Sequence, residues 1–282
     1  MDTPAARWRP PWLWRLLQLF ARGVVSLLAR LRVTGDVPDA FRTGPLILAA
    51  NHISTFDPIV LAAACHLRGV SPRFMATGEL FRTPVIGAVL RRCGHLPVDR
   101  RSPSVAAALP AAVDAIRAGS VVLVYPEGRI GLDPDMWPER GKTGTARLAA
   151  ATGAIVVPVA QWGAHTVLPY AAPKGIVPAV LRALVRRPEI RVHFGTPVDL
   201  STVDQRWPGW ARQATDRIID AITDALVPLR PDEPGRPRHV DPTRPIDLRR
   251  RHTRRPAPPV GWSFLQFPEP TKLRQNLYPL FC

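Results

Sequence analysis

From Pro45 onward, short apolar runs sized for strands alternate with segments of helical periodicity, an order that few architectures other than an α/β sheet accommodate. "PLILAAN" suits a buried strand, and "PIVLAAACHLRG" follows as a helix with Pro in its first turn and Gly near its end. "SPRFMATGEL" suggests a strand, "PVIGAVLRRCG" a helix, "HLPVDR" a strand, and "SVAAALPAAVDAIRAG" a helix closed by Gly119. "SVVLVYPEG" is the strongest strand, followed by the helix "TGTARLAAATG" and the strand "AIVVPVAQWG". A later strand, "IRVHFGTPV", precedes the amphipathic helix "WARQATDRIIDAITDALVPL". The expected fold is α/β, a mostly parallel central sheet flanked by helices.

Two segments stand outside this pattern. Residues 11–33 have helical periodicity, with Arg15, Gln18, Arg22, Ser26 and Arg30 within about a third of the circumference and Leu, Phe, Val and Trp elsewhere. A membrane span needs roughly 20 mostly uncharged apolar residues, whereas an Arg recurs about every second turn here. The helix is therefore expected to lie on a membrane surface, with Trp8, Trp12 and Trp14 at headgroup level. Packing on the domain's own core is the plainer alternative. After Pro228 the composition shifts to Pro and Arg, as in "RPIDLRRRHTRRPAPP", too poor in core-forming residues for a packed unit. The expected organisation is a membrane-docking helix at 1–33, a main domain at 34–227 and a Pro/Arg-rich disordered tail at 228–282.

The net charge of +16 and pI near 11.3 predict attraction to polyanions without choosing among them. Cys65, Cys93 and Cys282 are scattered and lack CxxC spacing, which supports neither a disulfide framework nor a zinc site. No signal peptide is evident, because Arg15 and Arg22 interrupt the amino-terminal apolar run and no A-x-A region follows. From these features the chain is expected at the cytoplasmic face of the cell membrane, as a peripheral or monotopic protein.

Parallel α/β sheets bind ligands at the carboxyl ends of their strands. In "NHISTFDP", His52 follows a strand directly, and Asp57 starts the next helix within reach of folding back to the imidazole. A carboxylate on one ring nitrogen fixes the tautomer and leaves the other as a general base. Taken alone, H-x4-D also describes a helix-capping Asp beside an ordinary loop histidine.

Three further segments change the odds. "GHLPVDR" delivers Arg100 and Arg101. "YPEGR" follows the strong strand and brings Glu127, Gly128 and Arg129, a guanidinium fork suited to phosphate beside a glycine that permits close approach. Lys142 precedes a helix whose N-terminal amides could face an anion. "GKT" is not a P-loop, since Met136 stands where a Walker A sequence requires Gly.

Together these segments resemble the glycerolipid acyltransferase family, which includes 1-acylglycerol-3-phosphate and glycerol-3-phosphate acyltransferases. "NHISTFD" is similar to its first block, "ELFRTPVIG" with "GHLPVDR" to its second, "YPEGR" to its third and "VVPV" at 156–159 to its fourth, in matching order across roughly residues 34–200. Two departures concern the headgroup: Arg129 follows Gly128 directly where the family commonly reads Glu-Gly-Thr-Arg, and Gly78 replaces a common lysine.

The resemblance implies acyl transfer from acyl-CoA or acyl carrier protein to a hydroxyl of lysophosphatidic acid or a related glycerol phosphate. It assigns His52 as base and Asp57 as its orienter, with Arg100, Arg129, Glu127, Gly128 and Lys142 at the acceptor phosphate. Asn51 is expected to organise the loop. No metal or cofactor is called for. Three readings compete: a glycerol-3-phosphate or other lysophospholipid acceptor, a catalytically silent basic lipid-binding protein, and a serine hydrolase using Ser54. No G-x-S-x-G elbow supports the last. The basic tail is not expected to bind nucleic acid specifically, because no recognition module accompanies it.

Overall fold

The computed structural model describes residues 8–42, 44–98, 105–133, 135–169 and 175–230. Arg100, Arg101 and almost all of the expected tail therefore lie outside the described residues. Helix α1 (Trp12–Leu28) leads into strand β1 (Arg30–Gly35). There follow β2 (Leu46–Ala50), α2 (Asp57–Leu67), β3 (Arg73–Thr77), α3 (Gly78–Arg82), α4 (Pro84–Arg92), β4 (Leu96–Val98), α5 (Val105–Arg117) and β5 (Val121–Val124). The remainder is α6 (Gly144–Thr152), β6 (Ile155–Trp162), α7 (Ala164–Val167), α8 (Ile176–Arg186), β7 (Glu189–Phe194) and α9 (Trp210–Leu226).

Seven strands form one sheet in the order β1-β7-β6-β2-β5-β3-β4. Every pairing is parallel except β6 with β7, so the sheet is mostly parallel, as the alternating sequence led us to expect. Its centre obeys the two-residue period of a strand. Leu46, Leu48 and Ala50 of β2 join the core beneath α1 and α2, while Ile47 and Ala49 join the core beneath α5, α6 and α9. Strand β5 divides likewise, Val121 and Leu123 to one face and Val122 and Val124 to the other. Being buried on both sides, these strands read as unbroken apolar runs. Gly153 ends α6 in the left-handed region (φ 67°), its N–H bonding Ala149 O.

The amino-terminal expectation needs two corrections. The helix ends at Leu28, not Val33, and residues 30–35 become an edge strand pairing in parallel with β7 from Arg30↔Glu189 to Gly35↔Phe194. Gln18, expected on the outer polar stripe, points inward with Trp14, Ala21, Val25 and Leu28. Its amide donates to Val70 O (2.9 Å) and its oxygen accepts from Ser71 Oγ (2.7 Å), satisfying a carbonyl and a hydroxyl beyond α2 that would otherwise lose water. Helix α1 thus packs one face on α2 while Trp12, Leu16, Leu19, Phe20 and Leu27 stay exposed on another. Among the described residues, no helix is long and apolar enough to cross a membrane.

Candidate active site

Strands β2 and β5 pair in parallel with Ala49 opposite Val124, so the segments leaving their carboxyl ends emerge side by side. One carries His52 and the other Tyr125. Asp57, fully buried at the start of α2, reaches back so that Oδ2 accepts from His52 Nδ1 at 2.8 Å. The same oxygen accepts from the amides of Ile53 (2.6 Å) and Ser54 (2.9 Å). Asp57 is therefore more than a helix cap: it closes the turn and fixes the imidazole.

With Nδ1 donating to the carboxylate, Nε2 carries the lone pair that can accept a proton. Burial pushes the Asp57 carboxyl above its usual value, opposed by the His52 contact and the two amides. The Tyr125 ring stacks on the imidazole, centroids 4.1 Å apart and planes 16° from parallel. Its phenol is raised well above 10 by burial and by the negative charge of Asp57, so it stays protonated.

Glu127, 1% exposed, ties the assembly together. Oε1 accepts from the His52 amide (3.1 Å) and Oε2 from the Glu139 amide (3.0 Å). The Gly131 amide in turn donates to His52 O (2.9 Å). The resemblance placed Glu127 at the acceptor phosphate; its carboxylate lies on backbone amides and holds the loop that bears the base. Asn51 organises that loop as expected, exchanging hydrogen bonds with the Gln161 backbone while Gln161 Nε2 donates to Asn51 O. Ser54, fully buried, donates from Oγ to Leu168 O (2.6 Å) and accepts from the Phe56 amide (3.0 Å), an arrangement of a structural hydroxyl and not of a nucleophile.

Two cavities meet at this point. The first, of about 360 Å³, lies between α1, α2 and β3, and is lined by His52, Thr55 and Tyr125 together with apolar residues such as Trp14, Leu17, Phe20 and Leu90. The second, of about 140 Å³, shares Met75–Thr77 and Tyr125 with the first and extends past Gly128, Lys142 and Thr145 at the start of α6. Thr145 Oγ1 is buried there, and among the described residues it has no hydrogen-bond partner. Gly128 has φ 72°, and a Cβ on it would stand 3.0 Å from the Lys142 side chain, so glycine both makes the turn and admits the lysine.

Arg129 has turned away, its Nη2 lying 3.2 Å from Oε2 of the buried Glu139. The structure thus gathers His52, Asp57, Glu127, Gly128 and Lys142 at one rim and sets Arg129 back from it. Sequence reasoning passed over Tyr125, Glu139 and Thr145. Only Tyr125 left a signal, standing in the quoted "YPEGR". Among the described residues no His, Cys, Asp and Glu cluster could hold a metal.

Comparison with known proteins agrees with this geometry. The Acyltransferase family matches residues 30–162. A 1-acyl-sn-glycerol-3-phosphate acyltransferase of Streptococcus pneumoniae is 27% identical over 197 residues, covering 67% of this chain and 65% of that protein. The chloroplastic 1-acyl-sn-glycerol-3-phosphate acyltransferase BAT2 of Brassica napus is 27% identical over 157 residues, covering 55% of this chain and 43% of that protein. The chain thus spans less than two thirds of the length of these curated relatives. The crystal structure of PlsC, the 1-acyl-sn-glycerophosphate (LPA) acyltransferase from Thermotoga maritima, shares the fold, with a TM-score of 0.54 at 20% identity over 73% of this chain and 76% of that one. In the order of its four sequence blocks and in these matches, the chain is similar to acyltransferases of the glycerolipid family, and its sheet has the fold of one of them.

Proposed function

We propose that the protein transfers a fatty acyl group from a thioester of coenzyme A or acyl carrier protein to the free hydroxyl of lysophosphatidic acid, with His52 as general base. The observation that carries this reading is an Asp57-oriented imidazole in the wall of a mostly apolar cavity. An acyl chain of the donor or acceptor fits the apolar walls, and the hydroxyl to be esterified then meets Nε2.

The steps balance without an acyl-enzyme. His52 Nε2 accepts the hydroxyl proton as the oxygen attacks the thioester carbonyl, Asp57 stabilises the imidazolium, and collapse of the tetrahedral adduct breaks the C–S bond. The imidazolium returns its proton to the departing thiolate. General-base assistance of this kind supplies about 10² to 10⁴ in rate, with positioning supplying more. Tyr125 keeps the imidazole plane fixed while the charge on it changes.

For the headgroup, Lys142 and the first amides of α6 offer positive potential in the second cavity, and Thr145 Oγ1 adds a buried donor. Lys142 and Gly128 line this cavity, and we assign Lys142 to the phosphate. Docking of α1 on the cytoplasmic face of an anionic membrane brings the cavity to its substrates, because Phe20 both lines that cavity and is exposed on the helix.

Mass spectrometry of products formed from acyl-CoA and a panel of acceptors tests the reading. Lysophosphatidic acid converted to phosphatidic acid, with lysophospholipids lacking a terminal phosphate reacting poorly, is the expected result. Preference for glycerol 3-phosphate would move the acceptor assignment, and no ester product with any acceptor or donor would leave a silent lipid-binding protein.

A further inference from the structure

Helix α8 has no counterpart in the sequence reading, and its surface is unusual for a helix facing water. Ala179 and Ala183 bury its inner side. At 100° per residue Leu184, Val177, Leu181 and Val185 share one outward arc. They are 41%, 68%, 57% and 84% exposed respectively. Arg182 and Arg186 follow on the Val185 side of the arc, and both are exposed. Scattered exposed apolar residues are normal on a surface, but a contiguous row on one helix marks a docking site.

Charge decides what it docks on. Neither Ile176–Arg186 nor Trp12–Leu28 contains an Asp or Glu, and each contains two arginines. The two helices touch, with Arg187 Nη2 just beyond α8 donating to Ser26 O of α1 (2.6 Å). A second copy laid on this surface would set arginine against arginine. Nucleic acid would satisfy the cations and leave the apolar arc in water. A bilayer with anionic headgroups satisfies both, since apolar side chains enter the acyl boundary while guanidinium groups meet phosphate.

We propose that α8 docks on an anionic lipid surface as a second membrane-facing helix beside α1. This extends the membrane reading of α1 and is separable from it. Two anchors of modest apolar area hold a peripheral protein where one gives marginal, readily reversed binding.

Co-sedimentation of the full chain with vesicles of equal parts phosphatidylcholine and phosphatidylglycerol, or of phosphatidylcholine alone, tests the proposal. The protein is expected to bind the mixed vesicles and to bind pure phosphatidylcholine weakly. The Leu181→Glu, Val185→Glu double variant is expected to lose about tenfold in partitioning to the mixed vesicles, as is Leu16→Glu, Leu19→Glu on α1. Its thermal melting and its turnover of soluble short-chain substrates should match the parent's. Arg182→Ser, Arg186→Ser should lose several-fold, with less dependence on salt. Loss with the α1 pair but undiminished binding by the α8 pair would overturn the α8 inference and leave the α1 reading standing. A parent that sediments as a dimer, and a monomeric α8 variant, would assign the face to a second copy and also overturn it.

Discussion

The His52 imidazole lies flat against the Tyr125 phenol ring, with centroids 4.1 Å apart. Asp57 fixes this imidazole in its plane through Nδ1 and Tyr125 fixes it from above, so Nε2 points one way only. Among the described residues, the buried Tyr125 Oη has no hydrogen-bond partner. Removing an orphaned buried hydroxyl recovers about 1–3 kcal/mol. Tyr125→Phe should therefore melt at a higher temperature than the parent while keeping the stack and most of the acyl-transfer rate. Tyr125→Ala should lose both, at about 3–5 kcal/mol for an aromatic-to-alanine change in the core.

Asp57→Asn separates chemistry from stability. The asparagine oxygen can still accept from the His52 ring and the two amides, but it supplies no charge to the imidazolium, so turnover should fall by about 10² to 10⁴. Burial raises the carboxyl of Asp57 in the folded protein. A group raised in this way favours folding fully only below its unfolded value near 3.8, and that contribution is lost as pH rises through the folded value. At neutral pH the variant should accordingly be at least as stable as the parent, an advantage that fades on acidification. Chemical denaturation at several pH values reads the sign.

Two histidines away from the base set the acid limit of the fold. Burial, with Arg73 adding to it, lowers His95 to about 4. Burial, with Arg230 adding to it, lowers His165 to about 4. His95 Nδ1 accepts from the Phe74 amide at 3.0 Å, which requires the neutral ring. Depressed values contribute stability that is complete above the unfolded value of 6.5 and is lost as pH falls toward about 4. Each should add a slope of about 1.4 kcal/mol per pH unit in that window. His95→Gln should flatten the profile measured by denaturation.

Lys142 and Arg129 should behave differently when truncated. Lys142→Ala is expected to raise KM for a phosphate-bearing acceptor about tenfold, with a smaller change in kcat. Arg129→Ala leaves the Glu139 carboxylate buried without that cation. Since Arg129 is about a third exposed, the expected loss is a discounted 1–2 kcal/mol or so of stability. Steady-state kinetics alongside thermal melts separates the two.

Sequence alone carried the sheet centre and the dyad because both are written locally: unbroken apolar runs for β2 and β5, and five positions from His52 to Asp57. What it missed depends on distant partners. "SLLARLRV" continues the helical period past Leu28, and residues 30–35 become a strand only because β7 offers its edge. Gln18 looks like surface until Val70 and Ser71 are folded against it. Pro178 reads as a helix breaker, yet it sits in the first turn of α8, where its missing N–H is no loss. The diversion of Arg129 to Glu139 rests on a loop path that no local pattern encodes.

Thiol release from acyl-CoA in the presence of lysophosphatidic acid, compared between the parent and His52→Ala at equal folded concentration, bears most directly on the whole account. A fall of at least about 10²-fold with an unchanged melting curve is the predicted result. Turnover within a few-fold of the parent would contradict the assignment of His52 as the base.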